Sequence, residues 1–179
     1  MKKIKIIALS LLLANSFWGC EKDDICTEGT PTTPSVVIEF YDALNPTNLK
    51  GVTNLKVIAD GMNEGIIFNP NATITEQKYW FNGSKLRLPL KTNAENVIYS
   101  FALNSGAANP ADSNTDILNF SYTKEDVFIS RACGYKTVFQ LNENNPVVTD
   151  ADATFWITDI EVMQSNIQNE NETHIKIYF

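Results

Sequence analysis

Tyr79-Trp80-Phe81-Asn82-Gly83-Ser84-Lys85-Leu86-Arg87-Leu88-Pro89-Leu90 is the stretch whose reading decides the fold. Asn-Gly between two alternating apolar runs is the pattern of a two-residue type I′ hairpin turn. Such a turn sets Phe81 against Ser84, Trp80 against Lys85 and Tyr79 against Leu86. Tyr79, Phe81, Leu86, Leu88 and Leu90 then share the core face, while Trp80 points outward with Lys78, Lys85 and Arg87. Pro89 has no N–H to give to a ladder, which puts this strand at a sheet edge.

The same period of two recurs on both sides. Val36, Ile38 and Phe40 alternate with Val37, Glu39 and Tyr41, and Leu55, Val57 and Ala59 form the next run. Val97, Tyr99, Phe101 and Leu103 are the buried set of another strand. Asn104 to Thr115 reads as a long flexible loop. Leu118, Phe120 and Tyr122 lead through Thr123 to Asp126 into Val127 and Ile129, a pattern that predicts a second hairpin. Tyr135 to Leu141, Phe155 to Met163 and Thr173 to Phe179 complete about nine short strands, with no trustworthy helical period between them. The class this predicts is all-β: a β-sandwich of immunoglobulin-like or related Greek-key topology.

The N-terminus carries an address. Lys2, Lys3 and Lys5 precede an apolar run from Ile6 to Ala14, and Gly19-Cys20 follows. The run is too short for a permanent membrane helix, which needs about 20 apolar residues, so it reads as a cleaved secretory signal. Cleavage before Cys20 gives a lipoprotein: signal 1–19, lipidated tether and linker 20–34, and a β-sandwich over 35–179. Several acyl chains on Cys20 would anchor stably where one binds marginally. The other reading is an ordinary signal peptide cut after Ala14-Asn15-Ser16, and the bulky Phe17 and Trp18 ask for a permissive processing enzyme. Glu21 to Asp24 resemble the surface-export signal of Bacteroidetes lipoproteins, which implies an outer-membrane lipoprotein facing outward; as plain sequence they are a solvated tether.

The chain has 14 basic and 21 acidic side chains, net −7. Residues 1–19 hold three lysines and no acid, so the remainder carries 11 against 21, net −10. That balance repels phosphate backbones and argues against nucleic-acid binding. With Cys20 lipidated, Cys26 and Cys133 are left in an oxidising compartment, and a disulfide between them is expected. The competing role, Cys133 as a nucleophile, would need the single histidine, His174, as its base.

Further residues carry a resemblance. Cys20 to Cys26, Val37-Ile38-Glu39-Phe40-Tyr41-Asp42, Ser130-Arg131-Ala132-Cys133-Gly134-Tyr135-Lys136 and the ending Asn169 to Phe179 resemble an uncharacterised family of Bacteroidetes lipoproteins, a domain of unknown function. The resemblance implies the envelope address and the paired cysteines, and no catalytic residue.

Few side chains form a chemical motif. Trp80 with Lys78, Lys85 and Arg87 would make an aromatic-cationic patch on an acidic domain, suited to a protein partner, an acidic glycan or lipid headgroups; in the plainer reading it is an edge cation–π pair. Asp60 with Glu64, Asp150 with Asp152, and Glu170 with Glu172 read as solvated loop carboxylates. Asp60-Gly61-Met62-Asn63-Glu64-Gly65 puts Met62 where a calcium loop needs an oxygen. One histidine and no free cysteine pair argue against zinc, and no cofactor motif or catalytic signature is present. The expectation is a non-catalytic interaction or structural module tethered to the membrane by its N-terminal lipid, with an envelope or outer-membrane protein as partner. A glycan- or ligand-binding accessory domain is the alternative. A small outer-membrane β-barrel ending at Phe179 is the minor one.

Overall fold

The computed structural model describes residues 25–30, 32–149 and 154–179. The leader over 1–19, Cys20 with Glu21 to Asp24, and the Asp150–Asp152 pair lie outside the described residues. Contacts divide the chain into a body, Pro31–Val127 with Lys136–Phe179, and a smaller unit, the residues through Thr30 with Phe128–Tyr135.

The body is a sandwich of two open sheets. The first has the order β4-β1-β11-β9, where β1 is Val36–Tyr41, β4 is Lys85–Leu88, β9 is Asp159–Val162 and β11 is Ile175–Tyr178. The second runs β10-β7-β6-β5-β2-β3, from Asn166–Ile167, Gly134–Leu141, Asn114–Ser130, Asn96–Leu103, Val52–Ala59 and Trp80–Gly83, with β8 (Val147–Thr149) added on β6. Among the described residues neither sheet closes on itself, so the barrel alternative is overturned. β1 is central: it runs parallel to β11, with Ile38 opposite Ile175 and Phe40 opposite Ile177, and antiparallel to β4.

Alternation places the core. Val36, Ile38, Phe40, Leu86, Leu88, Ile175 and Ile177 of the first sheet meet Leu55, Val57, Val97, Tyr99, Phe101, Leu118, Phe120 and Tyr122 of the second. Each fully buried large apolar side chain contributes about 1.5–3 kcal/mol. Trp156 and Ile157 arrive from an irregular segment just before β9 and join the same cluster. The Trp156 ring lies 5.5 Å from Phe179 and 6.5 Å from Phe40.

The Asn82-Gly83 hairpin does not form. Asn82 is not among the described non-glycine residues with positive φ, which are Asn54, Asn104 and Asn144. Its Oδ1 instead accepts the Asn54 N–H at 2.9 Å, beside a register shift between Val52 and Leu55. β3 therefore pairs with β2, Phe81 opposite Leu55 and Trp80 opposite Lys56. The chain then changes sheet at Ser84, whose carbonyl accepts from the Phe40 N–H, and β4 pairs with β1. Leu86, Leu88 and Leu90 are buried, and β4 is at a sheet edge, as Pro89 predicts.

The second expected hairpin is absent too. Thr123 to Asp126 stay extended inside a 17-residue β6, and Asp126 takes a 2.7 Å bond from the Thr137 hydroxyl of β7. The turn falls at Arg131–Cys133 instead. Within the expected loop of 104–115, Pro110–Asp112 form a short 3-10 helix whose Ala111 N–H is capped by the Asn109 side chain.

In the smaller unit, Thr27 to Thr30 form a tight turn, with Gly29 at φ 86° and the Thr30 N–H and hydroxyl both donating to the Thr27 carbonyl. Cys26 and Cys133 are joined by a disulfide across 107 residues of sequence, with Cα atoms 4.9 Å apart.

Candidate functional site

The four residues of the expected aromatic-cationic patch are not brought onto one face. Lys85 and Arg87 lie on β4 in the first sheet; Trp80 begins β3 in the second. The cause is the sheet change at Ser84, which replaces the hairpin that would have aligned them. Trp80 is half-buried, and a Cβ placed on Gly106 would come within 2.5 Å of its ring, so the Gly106 loop covers the indole. Its Nε1 is buried and has no hydrogen-bond partner among the described residues. Lys78 is half-buried at the end of a 3-10 helix, where its carbonyl accepts from the Phe68 and Asn69 N–H groups.

Lys85 and Arg87 instead each make an ion pair beside the first sheet. Because Ile38 and Phe40 point to the core, Glu39 and Tyr41 point away from it. Lys85 Nζ stands 3.1 Å from Glu39, which also accepts from the Tyr41 hydroxyl at 3.0 Å. Burial alone would raise the Glu39 carboxyl, but hydrogen bonds from Lys85, Thr173 and Tyr41 outweigh it and hold it below its ordinary value. Arg87 Nε meets Glu170 Oε2 at 2.9 Å, and Glu170 Oε1 accepts the Ser35 N–H at 2.7 Å. There too burial is outweighed, by Ser35 and Arg87, and the carboxyl is held low.

Glu170 is one wall of an open cleft of about 500 Å³ whose other walls include Thr32, Pro34, Lys136, Gln168 and Asn169. Lys136 Nζ donates to the Gln168 carbonyl at 3.2 Å. His174 belongs to the same segment but is only 1% exposed, and its Nδ1 accepts the Val37 N–H at 2.8 Å. Burial outweighs the pull of Glu172 and Glu170, lowers its pKa and keeps the imidazole neutral. The cleft offers amide, hydroxyl, ammonium and carboxylate groups, the chemistry of a polar ligand surface. It does not offer the Cys133–His174 pair: the cysteine is oxidised to a disulfide and the histidine is sealed against β1.

The sequence profile of a family of unknown function, DUF6452, matches residues 54–179. The chain belongs to the DUF6452 family. No curated protein and no solved structure matches it. The DUF6452 match begins inside β2 and leaves out β1, which pairs with both β4 and β11. The DUF6452 sandwich of this chain therefore needs residues upstream of the matched region to complete its first sheet.

Two features of the DUF6452 fold escaped the sequence reading. Asp116 is fully buried on the inner face of β6, where Oδ2 accepts the Ile157 N–H at 2.8 Å and Oδ1 the Trp156 N–H at 3.4 Å. The register Asp116, Leu118, Phe120, Tyr122 carried that signal, since it places an acid on a core face. The second is an exposed aromatic pair beside the disulfide: the Phe128 and Tyr135 rings lie 5.3 Å apart. No sequence signal distinguishes them from ordinary strand residues. Among the described residues, no group of three His, Cys, Asp or Glu side chains is placed to hold a metal ion.

Proposed function

We propose that this chain is an exported lipoprotein whose β-sandwich serves as a non-catalytic interaction module, held at the outer membrane by lipid on Cys20 and facing outward. The observation that carries the reading is the Cys26–Cys133 disulfide, because such a bond persists in an oxidising compartment and is rare where thiols are kept reduced. It agrees with a leader of three lysines, an apolar run and Gly19-Cys20. The bond also ties Cys26, six positions past Cys20, to the β6–β7 turn. The ionic face around Glu39, Lys85, Arg87 and Glu170 suits contact with another envelope protein.

The test is metabolic labelling with an alkyne-bearing fatty acid in cells making the full chain, followed by crosslinking and identification of neighbours. Label on the wild type, its loss in Cys20→Ala, and a reproducible protein neighbour support the reading; an unlabelled wild type contradicts it. The polar cleft beside Glu170 favours a second reading, a glycan-binding accessory domain. Glycan-array binding that is lost in Lys136→Ala and Asn169→Ala would favour it over the first.

A further inference from the structure

We propose that the β6–β7 turn, with Phe128 and Tyr135, is a membrane-contact surface that rests on the headgroup region of a zwitterionic bilayer. The inference rests on the lipidation of Cys20 proposed above and adds to it a second, non-covalent contact.

Chain reach carries the argument. Six residue steps separate Cys20 from Cys26, and at about 3.3–3.6 Å per step they span at most about 22 Å. The disulfide then fixes Cys133 next to Cys26, with Cα atoms 4.9 Å apart. An acylated Cys20 therefore holds this turn within a short distance of the lipid surface, whatever path the intervening residues take. The side chains held there are those such a surface accepts. Phe128 is 55% exposed, Tyr135 68% and Ile25 80%, and the two aromatic rings meet edge to face. Tyr135, a ring with one polar end, is of the type that concentrates at membrane interfaces, and Phe128 adds apolar area beside it.

Charge points the same way. The described residues of this unit carry only Glu28 and Arg131, which balance, within a chain of net −7. The described residues of the unit are thus neutral overall, within an acidic protein. The tether itself holds Glu21, Lys22, Asp23 and Asp24, which disfavours anionic lipid and selects the zwitterionic case.

The test uses the lipidated protein extracted from membranes, with Phe128→Trp, reconstituted into phosphatidylcholine–phosphatidylethanolamine vesicles with and without brominated acyl chains. The native protein is measured in parallel to subtract Trp80 and Trp156, and Tyr135→Trp provides an independent second probe. Mass spectrometry of the same samples reads the state of Cys20. The expected result is a loss of the added tryptophan's emission in brominated vesicles, with a blue shift on reconstitution. Equal emission in both vesicle types, for both probes and with Cys20 acylated, overturns this inference and leaves the anchor intact. That outcome would place the aromatic pair in water or against protein. A bare Cys20 thiol overturns the anchor and the inference with it.

Discussion

Replacing Asp116 tests the internal logic of the sandwich most sharply. The residue faces the core from β6 at 0% exposure, and its carboxylate receives two backbone N–H groups from the segment that enters the sandwich before β9. The 2.8 Å bond to Ile157 is a charge-assisted one, a type that contributes about 1.5–3 kcal/mol. The 3.4 Å bond to Trp156 is long and contributes less. Asp116→Ala removes both and leaves two buried N–H groups without these acceptors, at about 1–3 kcal/mol for such a group. A loss of about 3–5 kcal/mol follows, a large share of a typical stability of 5–15 kcal/mol. Asp116→Asn keeps one acceptor, which can serve Ile157, while its amide faces the Trp156 N–H; about 1–2 kcal/mol is expected. The assay is urea unfolding followed by tryptophan emission, comparing midpoints at equal slope. Trp156 also donates from Nε1 to the Phe101 carbonyl at 3.0 Å, so loosening its segment should shift the emission red. An alanine variant within about 1 kcal/mol of the native protein, or an asparagine variant worse than alanine, would refute this reasoning.

Three further outcomes are expected. His174 is neutral in the folded state with its pKa below 6.5, so the unfolded chain takes up protons first as pH falls. Stability should be flat above about pH 6.5 and fall below it by at most about 1.4 kcal/mol per pH unit, a slope that His174→Gln abolishes in the window above the carboxylate range; urea midpoints from pH 7.5 to 5 read it. Gly106 sits at φ +80°, and a Cβ there would meet Trp80 at 2.5 Å, so Gly106→Ala should cost at least about 1–2 kcal/mol in the same assay. A fragment of residues 54–179 should lack cooperative unfolding and bind hydrophobic dyes, whereas 35–179 should unfold cooperatively, because only the longer one contains β1. Equal cooperativity of the two would show that β1 is dispensable.

How far the sequence was legible depended on the range of the interaction. Faces set by alternation came through: Val97, Tyr99 and Phe101 are buried as expected, and so are Leu86 and Leu88. The cysteine pairing was also legible, since only two thiols remained once Cys20 was assigned to lipid. Partner choice was not. Asn82-Gly83 is a strong local turn signal, yet the side chain of Asn82 is used by Asn54, 28 residues away, while β3 pairs with β2 and β4 with β1, both partners distant in sequence. The same error dispersed the expected patch, because a face assembled from a hairpin exists only if the hairpin does. Thr123 to Asp126 show the converse: turn-favouring residues stay extended when a neighbouring strand, here β7 through Thr137, supplies partners. The parallel pairing of β1 with β11 joins residues more than 130 positions apart, and nothing local in Val36–Tyr41 announces it.

The leash at position 20 is the claim on which the rest of the functional account depends, and intact-mass analysis of protein isolated from its native membrane tests it most directly. The account predicts a polypeptide beginning at Cys20, heavier by a diacylglyceryl group and an N-acyl chain, and lighter by two hydrogens for the bond between Cys26 and Cys133. A chain that retains residues 1–19, or one that carries an unmodified Cys20 thiol, would contradict it.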